Sequence, residues 1–175
     1  MVTLVIGGAG SGKSDFAEQL IVRSDRRPRI YLATMEPLDR ECLARIQRHR
    51  AMRAERAFTT VECYSDMQDL SVPAGCAVLL ECMGNLCANE LYRPDGPAGS
   101  VRDRILRGVD RLSGQCGELV IVSNEVFSAG ADYGAETMRY LKLLAQVNLA
   151  LAERADRVFE VACGIPICHK GGREG

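Results

Sequence analysis

Residues 1–22, MVTLVIGGAGSGKSDFAEQLIV, constrain this chain more than any other stretch. An apolar, β-branched run leads into G-x-x-x-x-G-K-S, with Gly7, Gly12, Lys13 and Ser14 at the fixed positions, and an amphipathic helix follows, carrying Phe16, Ala17, Leu20 and Ile21. A triphosphate carries several negative charges and many acceptor oxygens. Backbone N–H groups can surround it only where side chains do not stand in the way, which is the reason for the glycines. The helix, read as starting at Ser14, presents unsatisfied N–H groups and a positive dipole end to the anion. Lys13 reaches the β and γ phosphates, and the Ser14 hydroxyl suits Mg²⁺. A strand, a phosphate loop and a helix in this order open an alternation that, continued along the chain, argues for a largely parallel sheet.

The rest of the chain keeps the alternation. After the strand TLVIG and its helix come RIYLAT as a strand, DRECLARIQRHRAMRAE as a helix, and FTTVEC as a third strand. CAVLLEC is a continuous apolar run of the kind that fills a central parallel strand, and it closes on the acid Glu81. A short helix around NLCANELY leads to a Pro/Gly loop, RPDGPAGS, the best candidate for a mobile segment. Ser100 caps a helix with Val101, Ile105, Val109 and Leu112 on one face. ELVIVSNEV is a strand, AETMRYLKLLAQVNLALAERAD a helix, and RVFEVACG the last clear strand, with HKGGREG as a frayed tail. The whole is expected to be an α/β, mostly parallel sheet flanked by helices, in a single domain over residues 1–175.

A formal net charge of -1 gives no general attraction to nucleic acid or to an anionic membrane, so neither is expected as a partner. No run approaches the roughly eighteen apolar residues of a membrane span and no cleavable signal is visible, so a cytoplasmic location is expected. The eight cysteines are scattered without a C-x-x-C pair and read as small buried hydrophobes in a reducing compartment. Cys163, Cys168 and His169 in CGIPICHK could ligate zinc, but a fourth ligand is not apparent.

The segment between strands two and three is chemically unusual. Arg40, Arg45, Arg48, Arg50, Arg53 and Arg56 surround His49, with only Glu41 and Glu55 as acids. A solvated basic face accounts for such a helix taken alone. With a phosphate loop in the same sheet, the connection after strand two can instead deliver it beside the nucleotide, where guanidinium groups meet phosphate oxygens. Among these cations the His49 imidazole resists protonation, and the neutral ring is the nucleophilic form.

The motifs GGAGSGKS, RIYLAT, RIQRHRAMR, TVE, LLEC and SNEV, in this order over nearly the whole chain, resemble those of the bifunctional adenosylcobinamide kinase/adenosylcobinamide-phosphate guanylyltransferase family of cobalamin biosynthesis. The phosphate loop alone names a superfamily; the R-I-x-x-H element is far more specific. The resemblance implies a RecA-like P-loop fold and a homotrimer. It also implies two reactions, with ATP or GTP and Mg²⁺ required: phosphorylation of the aminopropanol hydroxyl of adenosylcobinamide, then transfer of GMP from GTP through a histidine to the phosphorylated corrinoid. The GMP-accepting histidine falls on His49 and the phosphate-loop lysine on Lys13. Nucleotide contacts fall on Gly7, Gly8, Ala9, Gly10, Ser11, Gly12, Lys13 and Ser14, on Tyr31, Leu32 and Ala33, on Arg50, Ala51, Met52 and Arg53, and on Glu62 and Glu81.

Several of these stand on chemistry as well. Glu81 ends a buried strand where an acid that organises Mg²⁺ with Ser14 belongs. Glu62 can accept from the N1 and N2 donors of guanine, or be a structural acid at a strand end. Asn124 and Glu125 fit a substrate pocket or an ordinary capped strand end. The chain departs from the family pattern after SNEV: Leu141, Lys142 and Leu149 stand where arginine, aspartate and glutamine are expected, and Asn148 alone keeps its identity. Phe58 replaces the usual tryptophan before T-x-E. Two other readings of the phosphate loop are a single-activity kinase of another small alcohol and a RecA-like regulatory ATPase. The first leaves no covalent nucleotide on the protein. The second needs nucleic-acid surface of which neither charge nor a basic tail gives a sign.

Overall fold

A computed structural model of the chain describes residues 1–37, 56–94, 96, 99–126 and 133–172. The expected basic helix with His49, Arg50, Ala51, Met52 and Arg53, and part of the Pro/Gly loop, lie outside the described residues.

Seven strands form one sheet: β1 (Val2–Gly7), β2 (Arg29–Ala33), β3 (Phe58–Glu62), β4 (Ala77–Glu81), β5 (Glu118–Asn124), β6 (Arg157–Ala162) and β7 (Ile165–Lys170), in the spatial order β3-β2-β4-β5-β1-β6-β7. All neighbours are parallel except β6 and β7. The helices are α1 (Lys13–Arg23), α2 (Met83–Tyr92), α3 (Val101–Gln115) and α4 (Ala135–Arg154), and Met67–Asp69 makes a 3-10 turn.

Central strands buried on both faces need apolar residues at successive positions. In β4 and β5, Val78, Leu80, Leu119 and Ile121 point to the face that α2, α3 and α4 cover, while Leu79, Val120 and Val122 point to the face that α1 covers. Each large side chain fully removed from water in this way contributes roughly 1.5–3 kcal/mol. Helix α3 buries Ile105, Leu106, Val109 and Leu112, and the Ser100 hydroxyl accepts from the Asp103 N–H at 3.3 Å, the expected cap. Helix α1 begins at Lys13, one residue ahead of the expected Ser14, and buries Ala17, Leu20 and Ile21.

The tail HKGGREG was expected to fray, and here the structure differs at His169 and Lys170, which close a strand; residues 173–175 lie outside the described residues. Cys163 and Gly164, with φ of 50° and 79°, turn the chain back so that Ile165–Lys170 pairs antiparallel to β6. A two-residue turn with both φ positive matches the twist of a hairpin. The cysteines divide: Cys63, Cys76 and Cys87 are buried as expected, whereas Cys163 and Cys168 are exposed. His169 Nε2 lies 2.9 Å from Glu160, and among the described residues no three His, Cys, Asp or Glu side chains are grouped to hold a metal. Nor, among those residues, is any helix long and apolar enough to cross a membrane.

Candidate active site

Parallel strands end on one edge, and the register shows which residues meet there. Gly7 is level with Asn124, and Ala33 is level with both Glu62 and Glu81. Strand β5 separates β1 from β4, so the phosphate-loop strand and the Glu81 strand are about 10 Å apart, two inter-strand spacings. Helix α1 packs over β5 and β4 as well as β1, which carries its first turn across that gap. Ser14 Oγ consequently donates to Glu81 Oε1 at 2.7 Å. The other carboxylate oxygen, Oε2, accepts from the Tyr31 hydroxyl at 3.1 Å.

The phosphate loop is tied at its carbonyls. Gly7 O accepts from Glu125 N (3.0 Å), Gly8 O from Ser11 N (3.3 Å) and Lys13 Nζ (3.0 Å), Ser11 O from Gly164 N (2.8 Å), and Gly12 O from Phe16 N (3.1 Å). Every one of these acceptors would repel an anion if it faced one. The first N–H groups of α1 have no intrahelical partner and remain to serve an anion. Two glycines are required for separate reasons. A Cβ on Gly7 would sit 2.6 Å from both Ser11 Oγ and Val161 O, while Gly12 has φ +89° and would bring its Cβ within 3.2 Å of Gly164 Cα. Ala9 and Gly10 are exposed at the tip, Gly8 is half-buried, and Lys13 is buried at 8% exposure.

Of the other expected nucleotide contacts, Tyr31 is brought to Glu81, Ala33 lies at the sheet edge, and Glu62 is exposed at the end of β3. Leu32 differs: alternation along β2 sends its side chain into the core under α2–α4, fully buried, so it has no face on the edge. Of the six arginines in the basic segment, Arg56 is the one among the described residues, and it forms an ion pair with Glu18 of α1.

Residues outside the motifs hold the site in place. Buried Thr34 accepts from Cys82 N (2.7 Å) and donates to Cys82 O (2.8 Å), and its own N–H donates to Glu81 O (3.2 Å). Asn89 of α2 donates to Thr34 O at 2.8 Å and to Tyr64 O at 2.9 Å. Asn148 of α4 accepts from Ser123 Oγ (2.6 Å) and donates to Asn124 O (3.1 Å), while Asn124 Nδ2 lies 3.6 Å from Cys82 Sγ. Burial pushes the Cys82 thiol above its ordinary range and, with nearby Cys82 and Glu90, raises Cys87 to about 12. These thiols are protonated near neutrality. Thr34 closes a motif noted in the sequence, but nothing in the sequence marks its hydroxyl, or Asn89, as a brace of Glu81.

Residues 3–168 match the family described as cobinamide kinase / cobinamide phosphate guanyltransferase. The chain belongs to that family. Curated relatives span it almost end to end. The bifunctional adenosylcobalamin biosynthesis protein CobU of Escherichia coli (strain K12) is 32% identical, over 95% of this chain and 98% of its own length. The protein of the same name from Salmonella typhimurium is 33% identical with the same coverage, and CobP of Pseudomonas aeruginosa is 32% identical over 98% of each chain. Among solved structures, the flagellar accessory protein FlaH of Methanocaldococcus jannaschii superposes with a TM-score of 0.49 at 9% identity, over 99% of this chain and 81% of that one. The family, the mostly parallel sheet and the nucleoside triphosphate substrates expected from the sequence stand together.

Proposed function

We propose that this chain phosphorylates adenosylcobinamide with ATP or GTP, and then transfers GMP from GTP through guanylylated His49 to give adenosylcobinamide-GDP. The observation that carries the reading is the pairing of a phosphate loop whose Gly7, Gly8, Ser11 and Gly12 carbonyls are tied back with the Ser14–Glu81 contact at the same sheet edge, in a chain of this family.

In the first step the substrate hydroxyl oxygen bonds to the γ-phosphorus as the bridging P–O bond breaks; the nucleoside diphosphate leaves and the hydroxyl proton is released. Catalysis of such a transfer is mostly positioning and charge stabilisation. The loop amides and the start of α1 bind and orient the phosphates, and Lys13 exchanges its Gly8 contact for a phosphate oxygen. A hydroxyl and a carboxylate 2.7 Å apart are a hard-oxygen donor set suited to Mg²⁺. Ser14 and Glu81 would hold that ion, which when bound neutralises phosphate charge. Tyr31 holds the carboxylate, and Thr34 holds the Glu81 and Cys82 backbone behind it.

In the second step an imidazole nitrogen of His49 bonds to the α-phosphorus of GTP as the bond to pyrophosphate breaks. A phosphate oxygen of adenosylcobinamide phosphate then displaces the imidazole from phosphorus, restoring neutral histidine. The neighbouring arginines favour the neutral ring and meet the phosphates. Glu62 serves as a guanine acceptor in this scheme, and Asn124 and Glu125 line the acceptor side. The resemblance carries a homotrimer into the proposal, and charge and the lack of a long apolar run carry a cytoplasmic location without a nucleic-acid or membrane partner; light scattering should return three times the chain mass of 19.1 kDa.

Mass spectrometry after incubation with GTP and Mg²⁺ tests the covalent step. A GMP adduct that is acid-labile and alkali-stable is expected on the native chain and absent from His49→Asn, which still phosphorylates adenosylcobinamide. No adduct on the native chain under any condition would leave a simple kinase, and an adduct on the variant would move the nucleophile elsewhere.

A further inference from the structure

The β6–β7 hairpin turn approaches the phosphate loop more closely than any motif requires. Gly164 N donates to Ser11 O at 2.8 Å, and Gly164 Cα is the atom a Cβ on Gly12 would first meet. Val161, at the end of β6, presents its carbonyl to Gly7 from the same side. The loop is thus held between two supports, the end of β5 through Glu125 N on Gly7 O and the hairpin turn through Gly164 N on Ser11 O.

These supports differ in their consequence. Gly7 is still part of β1, and its carbonyl is fixed by sheet pairing in any case. Ser11 lies at the far side of the loop, past exposed Ala9 and Gly10, where no strand or helix constrains the peptide plane. A peptide plane free to rotate there could turn its carbonyl toward the phosphates and the following N–H away from them. The amide of Gly164 takes up the Ser11 carbonyl and so fixes the peptide between Ser11 and Gly12 in the orientation that leaves the Gly12 N–H for the anion. The turn can place its amide there because Gly164 adopts φ +79°, where a side chain would be strained.

We propose that the Cys163–Gly164 turn is part of the nucleotide site, with the Gly164 amide acting as a positioning group that holds the phosphate loop in its anion-binding form. This rests on the reading that the loop binds nucleoside triphosphate. The ligand class is the triphosphate itself, so ATP and GTP are affected alike and the corrinoid is not.

The contact can be removed one atom at a time. Cys163 allows ligation of a thioester of residues 1–162 to a synthetic peptide of residues 163–175, giving the full chain. Glycolic acid in place of Gly164 replaces the N–H with an ester oxygen. A second ester, at Ile165, weakens the same hairpin but leaves the Ser11 contact. Nucleotide dissociation constants, kinase KM and kcat, and urea midpoints are measured on both esters, the all-amide ligated chain and Lys13→Ala. The expected result is a roughly tenfold weaker binding of ATP and GTP in the Gly164 ester, the loss of one hydrogen bond to a loop under anion load. Nucleotide KM rises by the same factor, corrinoid KM is unchanged, and the Ile165 ester binds like the all-amide chain. Equal weakening by the two esters, or unchanged binding in the Gly164 ester while Lys13→Ala binds poorly, overturns the proposal. Unchanged binding in Lys13→Ala as well overturns the phosphate-loop reading and the turn's role with it.

Discussion

Replacing Glu81 with glutamine keeps the length and shape of the side chain and removes its charge. Each carboxylate oxygen now meets one hydroxyl, Ser14 at 2.7 Å and Tyr31 at 3.1 Å. In Glu81→Gln one oxygen still accepts, and the hydroxyl opposite the new amide turns to accept from it. Both contacts survive in neutral form, each weaker by about 1 kcal/mol than when a charge takes part. The fold then loses about 2 kcal/mol, a melting-temperature shift of about 4–8 °C for a chain of this size. The effect on Mg²⁺ is of a different kind. Taking the charge from a carboxylate that would hold Mg²⁺ together with the Ser14 hydroxyl should cost at least the roughly 10–100-fold in metal affinity typical of a carboxylate that only orients a ligand, or about 1.4–2.7 kcal/mol. Initial rates of the kinase step, titrated with magnesium chloride at fixed nucleotide, should show the half-saturating concentration displaced upward by that factor. Circular dichroism should be unchanged. A titration that superposes on the native one, in a folded variant, would refute the placement of Glu81 at the metal.

Lys13→Ala should cripple both reactions, because both use a triphosphate held by the same buried ammonium, and native-like turnover of either would make the loop irrelevant to it. Glu90 and Arg104 form an ion pair with side chains only 3% and 6% exposed, and Glu90 also accepts from Asp66 N. Arg104→Ala leaves that carboxylate buried and unpaired, so urea unfolding should report a loss of about 3–5 kcal/mol; a loss under about 1 kcal/mol would mean that the carboxylate is hydrated. Burial raises Cys63 and Cys116 to about 11 and Cys87 and Tyr140 to about 12. The folded chain therefore holds these protons where the unfolded chain has released them. Stability should be constant through neutral pH and fall as pH rises from about 9 toward 12, and a melting temperature flat to pH 11 would contradict the burial of these groups.

Where the sequence was readable, apolar pattern and covalent motif coincided. Strands such as Ala77–Glu81 and Glu118–Asn124 are runs that only a sheet covered on both faces can use, and the phosphate loop fixes which strand edge carries the chemistry. Strand β7 was not readable because all six of its residues are exposed and it buries nothing that a periodicity could register. Its one local signal was the dipeptide Cys163–Gly164, a turn defined by backbone angle more than by composition. The same limit applies within the site. Ser14 and Glu81 belong to motifs, whereas Thr34, Asn89 and Gly164 act through backbone contacts between segments distant in the chain, which leave no spacing to read. His49 and its arginines were legible as chemistry, and their geometry lies outside the described residues.

Strand β1 is an inner strand, flanked by β5 and β6 instead of by the strand that follows it in the chain. Its first residues are fastened to partners far along the sequence: the Met1 ammonium to Gly117 O, 116 residues on, and Val2 N to Asp156, 154 residues on. A ribosome adding about 5–20 residues per second needs roughly 8–30 s to cover the longer of those intervals. Throughout that time the nascent phosphate loop lacks β6, and until residue 124 has been added it lacks β5 as well. The two supports of the loop, Glu125 N and Gly164 N, therefore arrive only in the last third of the chain. Retention on a nucleotide column should therefore favour chains that have completed their sheet over truncated ones that end before Gly164.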